Sequence, residues 1–393
     1  MTTTTPGEHS STEFRTLPLA EMQAIVSRFD ERFFAAQRAA APTKEWVRKA
    51  LRREGSPRCP AWLRRLSTDV IVRYGDDLAE LYCRFPDDVV RVRPYEPTIG
   101  YQPLEREDQI DDVQAMMQAA EWTDEWGTRW AHAFGGVGAT AVDHPIKEWA
   151  ELGDYLAHRL PDPHAPGRLA RARALLADHG ERNYCMGMLP LALFERLHCL
   201  RGMENTFYDF CEHEKEVTRL CEALTDYLVQ LIRDFCQTSI SAICLTDDWG
   251  SQQGLLISSP MWRKFFGAHY RRIFAEIHRW DKDVIFHSCG NVMQILPDLI
   301  EAGIDVLDPV QPAAMDLNDV ACAFGGKVAF SGGIDDQRLE TATPQQVRDE
   351  VQRALTTLGR PFGNAYLVGP ANVITPTVPF ENIQALFEAC RAT

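Results

Sequence analysis

Several things are scarce in this chain, and each scarcity closes a class of function. Positive charge is in the minority: Lys and Arg number 41 against 56 Asp and Glu, a net charge of −15. A chain this acidic is a poor partner for nucleic-acid phosphates or an anionic membrane surface. No apolar run approaches the roughly 18 residues of a membrane span. The opening MTTTTPGEHSST has neither the basic region nor the apolar stretch of a secretory signal. Residues 1–15 read as a disordered tail, and residues 16–393 as one domain. The 11 cysteines are odd in number and scattered, with no CxxC, which suits reduced thiols in the cytoplasm better than a disulfide framework. There is no internal repeat. No Gly-rich phosphate fingerprint follows any strand, which argues against a dinucleotide-binding domain.

What is present is strand–helix alternation, clearest in the second half. Short apolar runs without strict alternation occur at Tyr184–Leu189, Ile240–Thr246, Asp283–Ser288, Ile304–Pro309, Lys327–Gly332 and Ala365–Gly369. Such runs suit strands covered on both faces. The segments between them carry helix signals. Val217, Leu220, Leu224, Leu228, Leu231 and Phe235 form one apolar stripe, Ser259-Pro260 opens a second helix, Asn291 can cap a third that Gly303 ends, and Thr343 to Gln346 make a capping box. Repeated alternation means parallel strands with right-handed crossovers, hence a doubly wound sheet or a closed barrel. Val70–Tyr74 as a strand, and a hairpin over Arg129–Val142 around Gly135-Gly136, bring the count toward the eight strands of an α/β TIM barrel with an N-terminal extension.

Polar residues gather where these strands end. Asp247-Asp248 and Gln252 follow one, His287-Ser288-Cys289 another, then Asp308 and Gln311, Asp335-Asp336, and Asn372. In parallel α/β folds the site forms at the carboxyl ends of strands, so these residues are expected to share a pocket. His287 and Cys289, two apart on extended chain, can face one point, and imidazole with thiolate is a partial zinc set. The competing interpretation is a core histidine beside a buried cysteine. Asp247 and Asp248 point to opposite faces, so one is expected to enter the pocket as acid/base group, metal ligand or substrate binder; the competing interpretation is that one pairs with a nearby Arg and the other caps the next helix. Alternation alone leaves open which does which. The D-x-H-x-x-G pattern at Asp162–Gly167 resembles a cobalt-ligand motif, but its two prolines and the lack of a preceding strand make it a surface turn. Met186, Met188 and Trp262, with Cys211, Cys221, Cys236 and Cys244, read as packing residues.

Leu200–Asn205, Asp247–Trp262, Phe286–Val292, Gly303–Gln311, Phe330–Gln337 and Pro379–Leu386 together resemble the uroporphyrinogen decarboxylase superfamily, which includes zinc-dependent cobalamin:coenzyme M methyltransferases. The resemblance implies a TIM barrel with its site at the carboxyl ends of the strands. The Arg-rich segment of true decarboxylases is not found, and Ala50–Trp62 is only loosely similar, so the methyltransferase branch is the nearer one. That branch holds zinc with His-x-Cys, matched by His287 and Cys289, and a later Cys or His. Counting back from Val378–Asn382 puts Asn372 at the later position, and an amide is a weak zinc ligand. Asp247, Asp248 or a substrate thiol would then complete the set. The expected activity is metal-dependent methyl transfer or demethylation of a small molecule, with Asp247 or Asp248 catalytic and Gln252, Gln311, Asp335 and Asn372 lining the pocket. Any corrinoid would arrive on a partner protein, and a homodimer is common in the superfamily. The alternatives are a metal-independent decarboxylase or lyase and a non-catalytic ligand-binding barrel.

Overall fold

The computed structural model describes residues 17, 19–94, 121–132 and 139–391. The expected tail, and the glycines of the expected hairpin, lie outside them. Seven parallel strands form one curled sheet: β1 (Val89–Val92), β5 (Tyr184–Leu189), β6 (Ala242–Thr246), β7 (Asp283–His287), β8 (Val306–Val310), β9 (Ala329–Ile334) and β10 (Tyr366–Pro370), in that spatial order. Three intervening strands, β2 (Glu121–Thr123), β3 (Arg129–His132) and β4 (Ala139–Asp143), make a separate antiparallel sheet. The barrel's eighth position is filled by an extended segment, residues 60–66. Trp62 N–H donates to Val368 O at 2.9 Å, Val368 N–H to Pro60 O at 2.8 Å, and Asp88 N–H to Ala61 O at 3.0 Å, so this segment joins both open edges. The result is an α/β TIM barrel.

The six second-half strands fall where the apolar runs predict. Two expectations in the first half are corrected. Val70–Tyr74 is not a strand but part of the helix Thr68–Arg84. Its β-branched run is misleading in isolation, because Val70, Ile71, Leu78, Leu81 and Tyr82 form one buried helical stripe. The hairpin is real, since β3 pairs antiparallel with β4, but it lies outside the barrel. The missing barrel positions belong to β1 and residues 60–66. Cys211 is exposed rather than packed, because the helix Met203–Glu212 turns Thr206, Asp209 and Phe210 inward instead. Thr343 does cap its helix, with the reciprocal Gln346 bond of a capping box.

Strand alternation sorts side chains into two packed layers. Tyr184, Met186, Met188, Ala242, Cys244, Ile285, Val306, Ala329 and Leu367 pack together with Trp62 inside the barrel. Cys185, Ile243, Leu245, Val284, Phe286, Leu307, Phe330 and Val368 face the surrounding helices. This phase carries through the strand ends. Continuing Cys244 and Ile285 by steps of two leads inward to Thr246 and His287, and Val306 leads inward to Asp308.

Candidate metal centre

Parallel pairing in register sets Thr246, His287 and Asp308 side by side at one level of the barrel. His287 Nδ1 lies 2.6 Å from Asp308 Oδ2, a bond that leaves Nε2 as the free face of the ring. Nε2 is 3.5 Å from Cys289 Sγ and 4.0 Å from Asp248 Oδ1. Asp248, His287 and Cys289 each place one ligand atom within 4.8 Å of the others. Asp248 Oδ1 also accepts the Cys289 backbone N–H at 2.8 Å, tying the two strand-end loops together.

The two neighbouring aspartates have separate jobs, and alternation explains why. Asp247 continues the outward phase of Leu245 and is fully buried. Its carboxylate accepts backbone N–H groups from Leu193, Phe194 and Glu195 at 3.0, 2.9 and 2.7 Å, which caps the start of the helix Phe194–Arg201. The Tyr270 hydroxyl donates to it as well. Burial pushes the Asp247 carboxyl up to about 6, against the pull of those donors. Asp248 takes the opposite face. The following Trp249 turns outward again, stacking on Phe194 at 4.5 Å, and its backbone N–H donates to Ser288 Oγ. Burial of an indole this complete is worth roughly 3–5 kcal/mol, and it anchors the loop so that Asp248 stays at the mouth.

The loops after β6 and β7 cross closely. Gly290 has φ +80°, and a Cβ there would collide with the Gly250 backbone, so glycine is required on steric and conformational grounds. Gln311 accepts the Gly290 N–H at 2.9 Å and thus supports the cysteine loop from the side. Asn372, following β10, puts Nδ2 4.0 Å from Cys289 Sγ while its Oδ1 accepts the Val373 N–H. The amide therefore borders the sulfur as a donor.

Of the expected site residues, the structure brings together Asp248, His287, Cys289 and Asn372, with Gln311 one contact away. Asp247 is held in the helix layer. Gln252 is exposed in its loop. Asp335 is turned onto its own loop, where Oδ1 accepts the Gln337 N–H. Its neighbour Asp336 is half-buried, and burial raises its carboxyl above the ordinary value.

Four other residues complete the environment. Asp308 is fully buried between His287 and Arg65. Burial would raise its carboxyl, but the Arg65 charge and the His287 hydrogen bond outweigh that and hold it far below the usual carboxylate range. For His287 burial opposes the charged form, yet the bonds to Asp308 and Cys289 prevail and raise it well above the ordinary histidine value. Glu195 is raised by burial and then by the charges of Asp248 and Asp247. His198, one helical turn on, is lowered to about 4 by burial and by His144 and Arg196. Asp308 was visible in the sequence only as a polar residue at a strand end; its pairing in register with His287 is set by the sheet. Arg65, Glu195 and His198 carry no local signal.

The donor set fits a divalent transition metal. With Zn–S near 2.3 Å and Zn–N near 2.0 Å, tetrahedral ligands stand roughly 3.5 Å apart. The observed sulfur–nitrogen separation of 3.5 Å meets this, and the carboxylate oxygen at 4.0 Å needs only a small rotation.

Comparison with known proteins agrees with this architecture. The family model for uroporphyrinogen decarboxylase (URO-D) matches residues 172–393. The chain belongs to the uroporphyrinogen decarboxylase family. It is 27% identical over 174 residues to uroporphyrinogen decarboxylase of Legionella pneumophila (strain Lens), covering 44% of this chain and 46% of that one. It is 29% identical over 156 residues to the enzyme of that name from Chromohalobacter salexigens, covering 38% of this chain and 40% of the relative. The chain thus spans about half the length of the curated relatives it matches. A solved methyltransferase from Methanosarcina mazei has the same fold, with a TM-score of 0.64 and 16% identity over 90% of this chain and 99% of the other. The curated relatives that it matches are named as decarboxylases. Among the described residues no helix is long and apolar enough to cross a membrane.

Proposed function

We propose that the protein is a metal-dependent alkyl transferase or demethylase acting on a small molecule, with Asp248, His287 and Cys289 as zinc ligands. The observation that carries this reading is the convergence of those three ligand atoms within 4.8 Å at the mouth of the barrel. Three protein ligands are the number that a catalytic rather than a structural zinc takes. Bound there, the ion would supply the charge that keeps an acceptor thiol ionised at neutral pH.

The chain's own residues prepare the site. Asp308 holds His287 in the orientation that presents Nε2. Asp248 and Gln311 fix the backbone of the cysteine loop. Asn372 borders the sulfur with a donor and contributes no charge. Asn372 stands where the methyltransferase branch carries its later ligand, and Asp248 supplies a hard oxygen in its stead. A corrinoid, if used, would be carried on a partner protein. The 11 free thiols support a reducing, cytoplasmic setting.

Metal analysis tests the reading. Protein purified without chelators should carry about one zinc per chain, and His287→Ala, Cys289→Ser and Asp248→Ala should each abolish it. Metal-free wild-type protein, or full retention by the variants, would end the zinc model.

One observation favours a second reading, a metal-independent decarboxylase. Glu195 is half-buried near Asp248 and Asp247, whose charges together with burial raise its carboxyl, and a carboxyl favoured in its protonated form is suited to deliver a proton to a decarboxylated carbon. Carbon dioxide release that persists after exhaustive chelation, and is lost in Glu195→Gln, would support it over the first.

A further inference from the structure

We infer that Arg65 is the positioning residue of this site, clamping the metal-ligand wall and the opposite asparagine wall to one guanidinium. The inference rests on the proposed metal centre for its main readout and on the geometry alone for its second.

Arg65 sits on the segment that closes the barrel, and only 6% of its side chain is exposed. Its Nη2 bonds both Asp308 Oδ1 and Ser331 Oγ, the latter at 3.2 Å. Asp308 in turn holds His287 Nδ1 through its other oxygen. Nη1 donates to Ala371 O at 3.1 Å, the carbonyl that immediately precedes Asn372. The Arg65 backbone is tied to the same loop, since Ile374 N–H donates to Arg65 O at 2.8 Å. The guanidinium plane lies over the Trp62 ring at 3.9 Å, which restricts its rotation.

The consequence follows from how these bonds are shared. A planar fork can hold two acceptors in fixed directions at once, which the single ammonium of a lysine cannot. One side of the fork sets Asp308, and through it the ring of His287. The other side sets the loop that brings Asn372 to Cys289 Sγ. Arg65 touches neither sulfur nor ligand imidazole, so it acts through Asp308 and Ala371. Loss of the fork should let the two walls drift independently while the apolar barrel interior stays packed.

The test uses Arg65→Lys and Arg65→Met in the full chain, with folding checked by circular dichroism. Zinc affinity should fall about tenfold in each, at the low end of the cost of losing an outer partner of a metal-ligating histidine, because Asp308 itself is kept. In Arg65→Ala, added guanidinium ion should restore binding, which a merely structural role would not explain. Zinc affinity of Arg65→Met within twofold of wild type would overturn the inference. A second readout does not involve metal. In protein with labelled histidine, the downfield proton of the His287 Nδ1–H bond to Asp308 should be present in wild type and lost in Arg65→Met. An unchanged signal would overturn the inference too. If the wild type itself takes up no zinc, the metal reading fails by itself, and this signal decides the role of Arg65.

Discussion

The two ends of the barrel are both crowded with charge, yet they differ in what the charges do. At the amino-terminal end Arg52 meets Asp281 at 2.9 Å and Asp283 at 2.6 Å, Arg48 meets Asp281, and Asp283 also accepts the Tyr184 hydroxyl at 2.7 Å. His278 pairs with Asp305 at 2.8 Å. Each acid there has a cation or donor of its own, so the end is closed as a set of complementary pairs. At the carboxyl end Asp308 is likewise satisfied, but Asp248, His287 and Cys289 turn toward one another around a shared point. Opposite charges that face each other stabilise a fold. Donor atoms of mixed chemistry that converge on one point are the arrangement that the proposed metal would use. Polarity alone does not separate these cases; the direction of the lone pairs does.

The largest test of this contrast is Asp308→Ala. It leaves the buried Arg65 without its carboxylate and His287 without its acceptor, and should cost about 3–5 kcal/mol in urea unfolding, with metal binding lost. The adjacent aspartates come next. Asp247→Asn weakens the acceptor of three buried amides and should cost roughly 1–3 kcal/mol while zinc content is kept. Asp248→Asn should do the reverse, staying within about 0.5 kcal/mol of wild type, as surface changes usually do, while zinc is lost. Equal behaviour of the two would show that their opposite orientations carry no division of labour. At the other end Asp283→Asn should cost about 1–3 kcal/mol, since it removes a buried charged acceptor, and should leave zinc content untouched. Metal loss there would mean that the two ends are coupled.

The smallest effect is a pH dependence. The hydrogen bond that His278 donates to the Asp305 carboxylate raises His278 above its ordinary value. A histidine raised on folding adds stability that is fully present below its unfolded value, near 6.5. That contribution is lost as pH climbs through the higher folded value. His278 is 42% exposed, so solvent screening limits the amount to under about 1 kcal/mol. His278→Gln should flatten the stability profile above about pH 6.5, and an unchanged profile would show that the pair contributes nothing.

Legibility followed the range of the signal. The six second-half strands were readable because each is a short apolar run bounded by helix caps and turn residues. His287 with Cys289 was readable because two-residue spacing on extended chain is local. Choosing between Asp247 and Asp248 needed the phase of the strand: once Cys244 faces the barrel interior, Asp248 follows it and Asp247 cannot. Val70–Tyr74 misled because five residues are too few to distinguish a strand from one turn and a half of a buried helix. The segment 60–66 was missed because its pairing is carried by partners some three hundred residues away, Val368 and Ile374.

From the sequence alone came the parallel α/β sheet, the end of it where chemistry gathers, and the His–Cys pair, since all three rest on periodicity and short spacing that the chain carries locally; the choice of a barrel over an open sheet came from the family resemblance. Only the tertiary structure placed Asp248 as the third donor, Asp308 behind His287, and Arg65 across the closure of the barrel. Those contacts join residues far apart in the chain, and the closing of the sheet, rather than any neighbour in sequence, determines which of them meet.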